Sequence, residues 1–124
     1  MPLSKKPKHI FEPTPLSCGQ AAIAMATDTD IEKVCELCGG YAETDLKTMK
    51  AIFCKLGVAV GDERIAVTDK KSLPQYALLS LETPKCWHWS LYINGIFYDP
   101  EYGILNDFPP SNRRYFWMLK NKND

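Results

Sequence analysis

The sequence carries no net charge of either sign: 15 Lys and Arg balance 15 Asp and Glu across 124 residues. That balance removes the long-range field with which basic proteins gather nucleic acid, so no nucleic-acid partner is expected and any charged partner must be recognised locally. No apolar run is long enough to cross a bilayer, and Lys5, Lys6 and Lys8 are not followed by the apolar stretch of a signal peptide. The expectation is a cytoplasmic protein without a membrane partner. Internal repeats and low-complexity tracts are missing too. The five cysteines are odd in number and lack the spacing of a paired framework, and several occupy helix-like apolar positions, which points to free thiols in a reducing compartment.

What is present is the composition of a globular domain, 45% hydrophobic and 24% charged, which excludes wholesale disorder. The length suits one core. Residues 1–8 mix proline and lysine without periodicity and read as a mobile basic tail, leaving 9–120 as a single domain. Pro13 and Pro15 keep the approach to Ser17 extended.

Three helices are expected next. The first spans 17–27, is rich in alanine and has Ser17 as its N-cap. The second opens at Thr29-Asp30-Ile31-Glu32, a capping-box pattern, lines up Ile31, Val34, Cys35 and Cys38 on one face, and closes at Gly39-Gly40. The third starts near Thr44, repeats Leu46, Met49, Ile52, Phe53 and Leu56 at helical spacing, and stops at Gly57, with Cys54 assigned to the core. Beyond Gly57 the pattern turns to alternation and β-branched residues, giving strands at 58–60, 65–67, 76–81, 87–93, 96–99 and 114–119. Asn94-Gly95 between two of these is the preferred pair for a two-residue type I′ hairpin. The fold class is therefore α+β, with a helical first half and an antiparallel second half.

Chemistry concentrates at two stretches. Cys18 falls in the first turn of the first helix, where unpaired N–H groups and the positive end of the dipole favour a thiolate. If Asn94-Gly95 is the turn, Ser90 lies opposite Asp99, and His88 and Asp99 become diagonal neighbours on one face of the hairpin. Such a carboxylate holds an imidazole in one tautomer and aims its other nitrogen at a thiol. Cys18, His88 and Asp99 are thus the candidate catalytic residues.

These residues resemble those of papain-like cysteine peptidases, and more narrowly the branch of bacteriocin-leader peptidases and their small bacterial relatives. The matching pieces are Cys18-Gly19 with its small-residue helix to Met25, the helix at 31–38, Thr44-Asp45-Leu46, and His88-Trp89-Ser90-Leu91-Tyr92 leading to Tyr98-Asp99-Pro100. The resemblance implies a papain-like fold and a thiol-dependent hydrolase, a cysteine peptidase acting on an amide bond of a peptide or protein substrate. Cys18 would be the nucleophile, His88 the general base and acid, and Asp99 the orienting carboxylate. No metal or organic cofactor is implied. The family has a glutamine five or six residues before the cysteine to hold the oxyanion, whereas this chain has Glu12 and Pro13. Glu12, Thr14 and Gln20, beside the backbone N–H of Cys18, are then the oxyanion candidates. Loss of such a donor costs about 2.7–4 kcal/mol in the barrier.

Rival readings follow from the same residues. The thioester step is shared by deamidases, isopeptidases and acyltransferases, and the departure at Glu12 and Pro13 suits an inactive binding module. Cys35-x-x-Cys38 together with Cys86 and His88 suggests zinc, but the first pair falls on an apolar helical stripe and no second matched pair exists. The aromatic residues of the strands, among them Trp87 and Trp89, are assigned mainly to the core.

Overall fold

Small side chains set the position of the first helix. In the computed structural model, which describes residues 3–123, α1 (Cys18–Thr27) buries every residue from Cys18 to Ala26. A helix of alanines with Gly19 lets neighbours approach on all sides. α2 (Ile31–Cys38) buries Val34 and Cys35 and ends at Gly39 in the left-handed conformation; α3 (Leu46–Lys55) turns Met49, Ile52 and Phe53 inward. Asp45 caps α3 by accepting the N–H of Thr48 at 2.8 Å.

Three local expectations need correction. Ser17 stands at the N-cap of α1, but its hydroxyl is exchanged with that of Thr14 at 2.6 Å instead of capping the helix. The capping box at α2 does not form: Asp28 ends α1 with φ 51°, Asp30 becomes the N-cap without a side-chain bond, and the hydroxyl of Thr29 meets that of Thr27 at 2.8 Å. Cys54 is exposed, because it lies a further step round the helix beyond the Met49, Ile52 and Phe53 stripe.

The second half of the chain is an antiparallel sheet. Its strands are β1 (Val58–Val60), β2 (Ile65–Ala66), β3 (Tyr76–Glu82), β4 (Trp87–Ile93), β5 (Ile96–Asp99), β6 (Gly103–Leu105) and β7 (Arg114–Asn121). Their order is β1-β7-β3-β4-β5-β6, with β2 also beside β7. The short β6 carries no alternation signal and was not expected. Asn94 and Gly95 both take positive φ, 49° and 89°, as a type I′ turn requires, and they set Ile93 opposite Ile96 and Leu91 opposite Tyr98.

Alternation then divides the side chains of the sheet. Leu78, Leu91, Ile93, Tyr98 and Leu119 pack with Ile23, Met25, Met49 and Phe53 in the core beneath the helices. Ala77, Leu79, Leu81, Tyr92, Phe97 and Phe116 form a second core on the opposite face, with Leu73, Leu105 and Phe108 against it. Where the N-terminal segment is described, it is no mobile tail: Leu3 is buried in the first core, its N–H donates to Asn121 Oδ1 at 2.9 Å, and Ser4 N–H donates to Ala26 O at 2.8 Å. Met1 and Pro2 of the expected tail lie outside the described residues.

Close approach at Gly19 ties α1 to α3 and β4. A Cβ there would collide with Thr44 Oγ1 and lie 2.9 Å from Met49 Sδ and 3.1 Å from Trp89 Cδ1. Gly19→Ala is therefore expected to lower stability by about 1–3 kcal/mol despite the better helix propensity of alanine. Urea denaturation measures this, and an unchanged midpoint would mean that α1 stands further from its neighbours.

Candidate active site

The site forms where the β4–β5 ladder runs out. Counting outward from the Asn94-Gly95 turn, Trp89 would next face Pro100, but β5 ends at Asp99. Asp99 Oδ1 accepts the N–H groups of Glu101 and Tyr102, both at 2.9 Å, and so turns the chain away from β4. The N–H of Trp89, left without a strand partner, donates instead to Cys18 Sγ at 3.4 Å. The head of α1 thus meets the open edge of β4 at the thiol. Pro100 O, also released from the ladder, accepts the N–H of Glu12 at 2.9 Å.

The imidazole lies between this thiol and the carboxylate. His88 Nε2 donates to Asp99 Oδ1 at 2.8 Å, and the Ser90 hydroxyl donates to Asp99 Oδ2 at 2.7 Å. Asp99 and Ser90 are fully buried, and His88 is 4% exposed. With Nε2 on the carboxylate, Nδ1 is the nitrogen left for the thiol. Burial by itself pulls the His88 imidazolium down, but hydrogen bonds to Asp99 and Cys18, with their charges, outweigh it and push His88 up to about 10. For Asp99, burial favours the neutral acid. The hydrogen bond and charge of His88, the Tyr102 N–H and the Ser90 hydroxyl outweigh it and hold the carboxyl below its usual range. The arrangement favours the imidazolium, held by the Asp99 carboxylate.

Cys18, His88 and Asp99, chosen from the sequence, therefore come together. Of the oxyanion candidates only Glu12 approaches: its Oε1 is 4.0 Å from His88 Nδ1. Gln20 is buried with Nε2 donating to Gly40 O at 3.2 Å and Ala42 O at 2.8 Å, so its amide braces the loop after α2. Thr14 is engaged with Ser17 and with Tyr41 O at 3.3 Å, on the same loop. Both side chains are thus held by carbonyls of the loop after α2. Sequence reasoning missed the Trp89 N–H, which only the end of the ladder exposes. Ser90 had a legible signal, since the turn register puts it opposite Asp99.

A cleft of about 370 Å³ opens over Cys18 and His88, lined also by Leu16, Trp87, Trp89 and Glu43. Trp87 is not core as expected: it is 46% exposed, stacks on Tyr115 and lies under the guanidinium of Arg113. Trp89 is fixed by its indole N–H on Thr44 O at 2.9 Å. Cys35 and Cys38 lie elsewhere, on α2, and burial pushes both thiols up.

His88 links this geometry to stability. Its value rises from 6.5 to about 10 on folding, so the folded state holds that proton more tightly. The stabilisation is complete below about pH 6.5 and is lost as pH rises towards 10. The melting temperature should fall across that window with a steeper slope in the wild type than in His88→Gln, measured by thermal scans at fixed ionic strength. The raised thiols of Cys35 and Cys38 act in the same direction in both proteins and cancel in the comparison. Equal slopes would show that His88 titrates normally.

No protein-family model, no curated protein and no solved structure matches this chain, so what the cleft does must be inferred from its chemistry.

Proposed function

We propose that this chain is a papain-like thiol hydrolase that cleaves an amide bond in a peptide or protein substrate. The observation that carries the reading is the continuous line from Cys18 through His88 to a buried, fully hydrogen-bonded Asp99. In the proposed reaction the Cys18 thiolate attacks the acyl carbon and the electron pair of the C=O moves to oxygen. His88 passes its Nδ1 proton to the leaving amine as the C–N bond breaks, which leaves a thioester. His88 then takes a proton from water as the water oxygen attacks the thioester carbon, and collapse breaks the C–S bond, releasing the acid and restoring the Cys18 thiolate beside the His88 imidazolium. Asp99 keeps the imidazole oriented and stabilises its charged form without taking the proton. The N–H of Trp89 supports the sulfur anion before attack.

The cleft suits an extended segment. Leu16, Trp87 and Trp89 offer apolar surface beside the thiol, and Glu43 is the charged group among the lining residues on the α3 side. The same thioester chemistry serves deamidation, isopeptide cleavage and acyl transfer, which differ only in leaving group and acceptor. A second reading, a binding module without turnover, is favoured by one observation: Glu12 brings a carboxyl to 4.0 Å from His88 Nδ1, and a carboxylate offers no donor to developing negative charge.

Alkylation by iodoacetamide across pH, mapped by peptide mass spectrometry, tests the hydrolase reading. Cys18 should react ahead of Cys54 and Cys86 at mildly acidic pH although it is far more buried, and His88→Ala should slow it by at least about tenfold there, through loss of the thiolate–imidazolium pair. Equal reactivity of Cys18 and Cys54 would remove the enzyme reading.

A further inference from the structure

The loop between α2 and α3 is held at almost every residue. Gln20 Nε2 donates to Gly40 O at 3.2 Å and to Ala42 O at 2.8 Å, Thr14 Oγ1 donates to Tyr41 O at 3.3 Å, and the Trp89 indole N–H donates to Thr44 O at 2.9 Å. Asp45 closes the segment by capping α3. The braced loop carries Glu43 to the wall of the cleft over Cys18 and His88. A shallower depression shares Glu43 and Thr44 with that cleft and continues it along Asp45 to Thr48. A connection fixed by side chains from α1, β4 and the N-terminal segment is a preorganised support for whatever Glu43 meets.

Charges around the cleft are matched except at this point. Lys85 pairs with Glu101 at 2.8 Å, Arg113, which lies over the Trp87 ring, pairs with Glu82 at 2.8 Å, and His88 pairs with Asp99 at 2.8 Å. The Asp45 carboxylate is committed to the N–H of Thr48. Glu43 has no ion-pair partner among the described residues. Beside it the cleft has an aromatic lining: Trp87 and Trp89 point to one face of β4, and each is backed by an aromatic residue of β7, Tyr115 at 6.1 Å and Trp117 at 5.7 Å. Indole surface next to an unmatched carboxylate is complementary to a long cationic side chain, whose stem covers the rings while its head reaches the charge.

We infer that Glu43, with Trp87 and Trp89, makes the cleft select a lysine or arginine side chain next to the bond that Cys18 attacks. The inference rests on the thiol-hydrolase reading and adds to it the class of substrate, a basic peptide segment. An acidic residue at the same place would meet Glu43 without a counter-charge, so the site discriminates by repulsion as well as by attraction. Gln20 and Thr14 then have a part in recognition: they hold the loop from which Glu43 projects.

The test is a mixed peptide library made by chymotryptic digestion, in which lysine and arginine stay internal. It is incubated with the full chain, and new termini are read by mass spectrometry, counting only cuts absent with Cys18→Ala. Bonds cut by the wild type should have Lys or Arg beside them at least about fivefold more often than the uncut pool, as a part-exposed ion pair and one cation–π contact together supply. High salt should shrink the excess. Glu43→Gln should lose it, and Glu43→Lys should turn it into an excess of Asp and Glu, whereas a merely structural role would lower cutting without altering its charge preference. Cutting without a preference for basic residues, or with the same preference in Glu43→Gln, overturns the inference and leaves the hydrolase reading intact. The absence of any Cys18-dependent cut overturns the hydrolase reading and the inference with it. Should neither Glu43 variant fold by circular dichroism, the wild-type preference alone decides.

Discussion

The carboxylate of Asp99 is the constraint on which the site depends. It is fully buried and accepts four hydrogen bonds: three at Oδ1, from His88, Glu101 and Tyr102, and one at Oδ2, from Ser90. Those from Glu101 and Tyr102 are local; they form the turn that ends β5. Those from His88 and Ser90 cross to β4. One side chain thus stops the ladder, fixes the imidazole and balances its charge. Removing it would leave a buried imidazole without a counter-charge and two buried donors without an acceptor, which is more expensive than the loss of any single bond.

The thiol is positioned through the backbone. Because β5 turns away at Pro100, the edge of β4 keeps an N–H free at Trp89, and the head of α1 fills that gap with Cys18 Sγ. α1 reaches this edge only because its residues are small. Gly19 has no space for a Cβ beside Thr44, Met49 and Trp89, and the alanines that follow are buried to the last. The packing of the helix and the geometry of the proposed reaction are consequences of the same small side chains.

Charge within the site is unevenly shared. His88 faces Asp99 through Nε2 at 2.8 Å and Glu12 through Nδ1 at 4.0 Å. Asp99 is satisfied on both oxygens and is held ionised, whereas Glu12 has a bare oxygen and is pushed towards the neutral acid. Two carboxyl groups on one imidazole therefore have opposite tendencies, set by how many donors each has been given.

Much of this was determined by the sequence alone. The period of Met49, Ile52 and Phe53, the small residues after Cys18, and above all Asn94-Gly95, which sets the register that brings His88, Ser90 and Asp99 to one face, are local signals with one main solution each. The capping pattern at Thr29 misled because a local motif competes with the chain reversal around it, and Cys54 because a cysteine reads as apolar on either side of a stripe. Tertiary structure alone decided that Leu3 anchors the N-terminal segment, that Gln20 and Thr14 brace a loop instead of facing the thiol, that the Trp89 N–H is free for sulfur, and that Glu12 stands 4.0 Å from His88. Each of these is a meeting of segments far apart in the chain at an edge or end of an element, where neither periodicity nor propensity specifies the partner.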